Sequence, residues 1–195
     1  MPAAEDPIAL FLRHLKQARI GVPEEVSDAM TLSTVAPKGR PRSRIVLLRG
    51  ADRRGFVFFT NLESAKGREI GRSDRVALCF HWPRLHVQVR IEGRASPVGA
   101  GEADDYFASR ARDSQIGAWA SDQSRPIVNR RELLRSFREH EKRFAGAPVP
   151  RPPHWGGYRV APDVIEFWYG RPHRLHERLV FTRRGQAWKR TMLSP

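Results

Sequence analysis

The sequence is poor in cysteine, in acidic side chains and in long apolar runs, and each shortage removes a class of protein. A single cysteine, Cys79, has no partner for an intramolecular disulfide and cannot build a thiolate cage for a metal, so a reducing compartment is expected. Asp and Glu number 21 against 35 Lys and Arg, a formal net charge of +14, which favours anionic partners such as phosphorylated metabolites, nucleic acid or an acidic surface. No stretch approaches the roughly 20 apolar residues of a membrane span. Residues 1–6 are acidic and short of apolar side chains, unlike a targeting leader, so a soluble, cytoplasmic protein without membrane contact is expected. Also missing are the GxGxxG fingerprint, the P-loop and HExxH, which leaves a dinucleotide Rossmann site, an NTPase and a zincin without support. His173 and His176 are spaced like a metal pair, but no third ligand accompanies them and no metal site is read.

At 195 residues the chain fits one domain with a real core. Ile8, Phe11, Leu12 and Leu15 recur at helical spacing behind Pro7, predicting an amphipathic helix that ends near Gly21. The period then changes to two. Strands are predicted at 29–34, 43–49, 55–61, 75–82 and 85–96, with turns at 37–39 and 51–55. Leu85, Val87, Val89 and Ile91 share one face of the last, against His86, Gln88, Arg90, Glu92 and Arg94 on the other. Helices follow at 101–109 and 129–144, the second opened by an Asn129/Glu132 capping box and striped by Leu133, Phe137 and Phe144. After the Pro-rich loop 148–153, strand-like pieces return at 155–160, 164–169, 175–182 and 187–193. Short connections argue for an antiparallel sheet or barrel with helices outside it.

Several segments suit anions, each with a plainer alternative. Ser64 can cap a helix whose first turn holds Lys66 and Arg68, a place where cations are disfavoured by the helix dipole unless an anion docks there. A basic solvated helix face explains them equally. Arg44 and Arg49 bracket an apolar run, and an offset of five in a regular strand puts them on opposite faces, serving two anions or simply ending a strand. Arg174, His176 and Arg178 alternate along a predicted strand with Leu175 and Leu179 facing the other way, either a cationic platform or an edge strand protected by charge. Residues 106–114 place Tyr106, Arg110 and Ser114 in a predicted loop after a helix.

Taken in order, SRIVLLRG (43–50), RGFVFFTN (54–61), QVRIEG (88–93), YFASR (106–110), DSQIGAWASDQS (113–124), PHWGGY (153–158) and IEFW with RLHERL (165–168 and 174–179) resemble the pyridoxamine 5′-phosphate oxidase family over nearly the whole chain. The resemblance implies a mainly β, α+β fold with flanking helices: an antiparallel split β-barrel of the FMN-binding type. It implies a single domain over 1–195 in which 153–195 completes barrel and active site, and a homodimer with FMN at its interface. By the same resemblance Arg44, Arg49, Phe59, Thr60, Lys66, Gln88, Gln123, Ser124, Trp168 and Arg178 fall at cofactor positions. Arg49, Tyr106, Arg110, Ser114, Arg174 and His176 fall at positions for a phosphorylated pyridine substrate, with Arg174 and His176 as the catalytic pair. The implied reaction oxidises pyridoxamine or pyridoxine 5′-phosphate to pyridoxal 5′-phosphate by hydride transfer from C4′ to the flavin, with O2 reduced to H2O2. Arg49 stands where the family usually has Lys, Ala65 where it usually has Arg, and His86-Val87 where it usually has Glu-Arg. The rival readings are a phenazine-pathway oxidase of the same fold and a non-catalytic basic nucleic-acid-binding module.

Overall fold

Helix α1 (Pro7–Ala18) begins as the sequence predicts: Asp6 Oδ1 accepts the N–H of Ile8 at 2.9 Å, and Pro7 fills a position whose N–H would be orphaned anyway. The structure, a computed structural model, describes residues 6–195; the acidic opening at residues 1–5 lies outside the described residues. Ile8, Leu10, Phe11 and Leu15 are buried, whereas Leu12, expected on the same stripe, is 39% exposed because Leu10 takes the core place. Phe11 is wholly buried and meets Phe56 and Phe80 edge-on, with centroids 4.8 and 4.9 Å away. Burying one such ring contributes about 2–3 kcal/mol, so α1 is fastened to the sheet by its own sequence period.

The strands are β1 (Ala29–Val35), β2 (Pro41–Leu47), β3 (Gly50–Asp52), β4 (Gly55–Asn61), β5 (Arg75–Trp82), β6 (Val87–Pro97), β7 (Trp155–Tyr169), β8 (Glu177–Arg184) and β9 (Ala187–Leu193). They form one nine-stranded sheet whose pairs are all antiparallel, in the order β2-β1-β5-β6-β7-β4-β3, with β8 and then β9 branching from β7. Strands β2 and β3 sit at opposite ends of that order, yet only Leu48 and Arg49 separate them in sequence. The sheet must therefore curl round on itself. Strand β7 makes the split: one edge follows β6, while the other pairs with β4 through Val160 and with β8 from Val164. The change of partner coincides with a register shift at Glu92/Gly93, where Pro162 sits opposite Gly93 and a Cβ on Gly93 would lie 2.2 Å from the Ala161 carbonyl oxygen. A bulge tolerates both the missing proline N–H and the close approach. This unites the predicted pieces 155–160 and 164–169 into one strand.

Helices α2 (Glu24–Ser27), α3 (Ala65–Arg72), α4 (Ala100–Ser109), α5 (Arg112–Ala120) and α6 (Arg130–Arg143) lie outside these strands in sequence. Asn129 caps α6 by accepting the Glu132 N–H at 3.2 Å, while Glu132 reaches back to the N–H of Val128 rather than to that of Asn129. A second apolar cluster, Phe107, Ile116, Phe144, Val149 and Trp155, joins α4, α5 and the end of α6 to the start of β7. The sequence did not predict α2, α5 or β3. The expected loop 106–114 is instead the end of α4, a corner at Arg110 and Ala111, and the start of α5, a corner held by Gln115 Nε2 donating to the carbonyls of Phe107 and Ala108. Leu85 belongs to a 3-10 turn before β6, and His86 follows it in the left-handed region at φ 52°.

Candidate active site

The end of β2, the C-terminal end of β4 and the α4–α5 corner surround a cleft of about 680 Å³. Its walls include eight residues expected at cofactor or substrate positions: Arg49, Phe59, Thr60 and Lys66 with Tyr106, Arg110, Ser114 and Gln123. A larger groove, about 820 Å³, runs along α6 among Arg131, Glu132, Arg135, Arg138 and Glu139. It is an open helix face of mixed charge and holds none of the expected residues.

One end of the cleft is built on α3. Ser64 caps that helix by accepting the Gly67 N–H at 3.3 Å, and Gly67 is obligatory because a Cβ there would fall 2.0 Å from the Leu62 carbonyl oxygen. Lys66 Nζ donates to Thr60 Oγ1 at 2.9 Å, to Ser64 Oγ at 3.3 Å and to Gln123 Oε1 at 2.8 Å. Burial, helped by the nearby Arg44 guanidinium and opposed by Glu69, pushes the Lys66 ammonium down to about 8. A half-buried ammonium beside a helix N-terminus, with a hydroxyl and an amide already in place, has the chemistry to hold an anion.

The other end is built on aromatic rings. Phe59 and Tyr106 stack with centroids 4.1 Å apart and 15° between planes, and Trp155 lies beyond Phe59 at 5.4 Å and 7°. The Arg110 guanidinium covers the Trp155 ring at 4.9 Å, and its buried Nη1 has no hydrogen-bond partner. Such an orphaned charged donor calls for an acceptor from outside the chain. Burial lowers the Arg110 pKa, Tyr106 raises it and Arg49 lowers it further. Arg49 itself lies beyond β2, so the opposite-face argument for Arg44 and Arg49 does not apply; its side chain donates to Glu24 at 3.1 Å. Trp155 was not singled out in the sequence, although its place in PHWGGY beside two glycines on β7 marks it.

The remaining expected residues lie elsewhere. Gln88, Trp168 and Arg178 are cross-strand neighbours on β6, β7 and β8. Arg178 Nε donates to Glu166 at 2.8 Å, and the His176 ring packs on Trp168 at 4.6 Å. The expected alternation of Arg174, His176 and Arg178 along a strand is corrected. Arg174 ends a 3-10 turn at φ 61°, His176 precedes β8, and only Arg178 is in the strand, while Leu175 is 70% exposed. The turn is held by Arg171, whose guanidinium grips both Glu177 oxygens at 2.9 and 3.0 Å and whose N–H donates to His176 Nδ1 at 3.2 Å. Nδ1 is then the acceptor, and the ring proton sits on Nε2. Among the described residues, Lys38, His86, Ser124, His173 and Arg174 are the non-glycine residues in the left-handed region, at a cost of order 1 kcal/mol each, and Ser124 and Arg174 are expected site residues. Arg44 does not line the cleft; it stands behind Lys66, bound to Glu69. Gly156, opposite Thr60, and Trp168 are 12 residues apart on β7 (168 − 156), roughly 40 Å of strand at about 3.3 Å per residue. Gln88, Ser124, Trp168, Arg174, His176 and Arg178 are not among the residues that line the cleft. Among the described residues, no group of three or more His, Cys, Asp or Glu side chains could hold a metal ion, and no helix is long and apolar enough to cross a membrane.

A curled antiparallel sheet with a shared edge on β7 and flanking helices is a split β-barrel of the FMN-binding type. The chain belongs to the pyridoxamine 5′-phosphate oxidase family: residues 24–143 match the model described by that name, and residues 155–195 match the pyridoxine 5′-phosphate oxidase C-terminal dimerisation region. It is 53% identical over 192 residues to a pyridoxine/pyridoxamine 5′-phosphate oxidase of Sphingopyxis alaskensis, covering 98% of this chain and 88% of the relative. A second relative of that name, from Rubrobacter xylanophilus, is 54% identical over 194 residues, with 99% and 88% covered. Among solved structures, PhzG from Burkholderia lata in complex with tetrahydrophenazine-1-carboxylic acid superposes with a TM-score of 0.91 at 34% identity, covering 100% and 95% of the two chains. A pyridoxamine 5′-phosphate oxidase-related, FMN-binding protein from Nostoc punctiforme shares the fold at a TM-score of 0.78 and 16% identity, with 99% and 100% covered.

Proposed function

We propose that this protein is an FMN-dependent oxidase that converts pyridoxamine or pyridoxine 5′-phosphate to pyridoxal 5′-phosphate, with O2 reduced to H2O2. The observation that carries the reading is one cleft with two separate cationic ends, Lys66 and Arg110, and a wall of parallel rings. A flavin nucleotide and a phosphorylated pyridine each bring one phosphate and one flat ring system, which is what these ends and walls fit. Lys66, Thr60, Gln123 and the first turn of α3 would hold the flavin phosphate. Arg110, with Tyr106, Ser114 and Arg49, would hold the phosphate of the substrate. Ser124, next to Gln123, would join the flavin end, while Gln88, Trp168 and Arg178, with Arg174 and His176 as the catalytic pair, would complete the site from the other protomer of a homodimer, since none of these five lines the cleft of its own chain. The dimerisation-region match at residues 155–195, which covers most of them, supports this arrangement and the role of that segment in completing a single domain.

Bound FMN supplies the hydride acceptor for C4′. The chain would orient the substrate ring, and His176, whose Nδ1 accepts from the Arg171 N–H, would present its Nε2 there. The single cysteine keeps a reducing, cytoplasmic location as the expected one. The likeness to PhzG favours a second reading, a same-fold oxidase acting on a ring carboxylic acid. Supplying FMN and each phosphate ester in air and following peroxide separates them: release from either ester supports the oxidase. Flavin binding without turnover of either moves the weight to the second reading, and absence of flavin binding overturns both.

Arg174 is exposed at the end of its turn, so Arg174→Ala should change the melting temperature little, within about 0.5 kcal/mol, while cutting turnover about tenfold or more. A loss of stability in proportion to activity would make the residue structural. Ala65, at the first position of α3, stands where an arginine would reach the flavin phosphate. One added charged hydrogen bond contributes about 1.5–3 kcal/mol, so Ala65→Arg should tighten FMN binding roughly tenfold, with the gain shrinking at high salt. Equal affinities in a flavin titration would show that Lys66 and its neighbours already neutralise the phosphate.

A further inference from the structure

A buried carboxylate stands one turn behind the cationic end of the cleft. Glu69 on α3 is 3% exposed, and a carboxylate removed from water must be compensated. Its Oε1 accepts from Arg42 Nη1 at 2.9 Å; its Oε2 accepts from Thr34 Oγ1 at 2.6 Å and from Arg44 Nη2 at 3.0 Å. Arg44 Nη1 donates in turn to Thr34 Oγ1 and to the Leu32 carbonyl. One carboxylate thereby ties β1, β2 and α3 together. Burial alone would raise the Glu69 pKa, but the donors Thr34, Arg44 and Arg42 outweigh it and hold the group below the ordinary carboxylate range, so it is charged.

Lys66 lies three residues earlier on the same helix, so the two side chains share a helix face. The charged groups around it are Glu69 on its own helix and Arg44 on β2; Thr60 and Gln123 accept from it. Arg49 and Arg110 face the same cleft, and Glu63 and Asp122 line a small pocket that adjoins Gln123. Burial and Arg44 both work against the ammonium, and Glu69 works for it. We infer that Glu69 is a positioning residue for the anion-binding end of the cleft: it locks α3 to the β1–β2 pair and supplies the negative charge that keeps Lys66 a cation in front of Arg44. The inference rests on reading that end as the FMN phosphate site. It also accounts for Arg42 and Arg44, which alternate on one face of β2 and together balance a single acid.

The test is FMN titration into apo wild type, Glu69→Gln and Glu69→Asp from neutral pH to about 9.5, with a melting curve for each. Binding a phosphate favours protonated Lys66, so wild-type affinity is full below about 8 and falls as pH rises through that value. Glu69→Gln should bind FMN roughly tenfold more weakly at neutral pH. Its loss with pH should set in about one unit lower, because the charge that sustains the ammonium is gone. Glu69→Asp keeps the charge on a shorter arm, so its affinity should fall while its pH midpoint stays with the wild type. Wild-type affinity and midpoint in Glu69→Gln, or one common midpoint in both variants, overturns the inference. Should Glu69→Gln not fold, unchanged affinity in Glu69→Asp overturns it. If wild type binds no FMN, the cofactor reading fails by itself, and inorganic phosphate replaces FMN in the same series with the same midpoints required.

Discussion

Arg110→Ala is expected to lower kcat/KM for pyridoxine 5′-phosphate about 100-fold or more while leaving FMN affinity within about twofold of wild type. Arg110 caps the C-terminus of α4, where its guanidinium lies over Trp155 and near Phe107, and its buried Nη1 has no partner within the chain. A half-buried guanidinium with an orphaned buried nitrogen is costly to leave uncompensated, and the ring faces return only about 1–2 kcal/mol of cation–π attraction. The position makes sense if an anion arrives. Each charged hydrogen bond to a phosphate contributes about 1.5–3 kcal/mol, and the guanidinium fork can make two, which gives the expected factor. Steady-state kinetics with a parallel flavin titration decides it. Unchanged kinetics with lost flavin affinity would assign Arg110 to the cofactor instead.

Mixing two inactive variants should restore activity. Lys66→Ala removes the ammonium of one proposed half-site, and Arg178→Ala removes the guanidinium of the other, which Glu166 on β7 holds. Each homodimer would carry the same defect in both of its sites. In a mixed dimer with two-fold symmetry, one site joins the intact Lys66 half to the intact Arg178 half, and the second collects both defects. Random exchange of equal amounts makes half the dimers mixed, each with one working site in two, so about a quarter of wild-type activity returns. Peroxide release from the mixture, compared with the two parents, measures it. A mixture no more active than its parents would mean that the two halves meet within one protomer or belong to different functions.

Parts of this architecture were legible in the chain and parts were not, for physical reasons. Strands β4 and β5 match their predicted bounds residue for residue, because a nearly continuous buried apolar run in β4 and period-two burial in β5 are closed off by turn residues or a proline. The Ser64 cap and the Asn129 cap were readable for the same reason, local hydrogen-bond chemistry being written in neighbouring residues. Helix α5 was not, since its buried residues are the adjacent Gln115 and Ile116, which make no helical stripe. Leu175 imitated a core position and extended β8 by two residues too far, although it is exposed in a turn set by left-handed His173 and Arg174. Ala161-Pro162-Asp163 imitated a turn, because a proline inside a strand is acceptable only at a bulge, and the bulge is created by Gly93 on the neighbouring strand. The residues proposed for the site were named from the order of short strings, but which of them line one cleft depends on the tertiary fold and is written in no single string. Glu69 was missed altogether: a lone acid on a basic helix carries no periodic signal, and the only hint was the pair Arg42 and Arg44 at spacing two, a row of charge that needs an acid opposite it.

The formation of pyridoxal 5′-phosphate by the FMN-loaded protein in air is the most direct test of what this cleft does. Pyridoxine or pyridoxamine 5′-phosphate is expected to give the aldehyde with one peroxide released per product. A protein that takes up FMN and leaves both esters unchanged would contradict it.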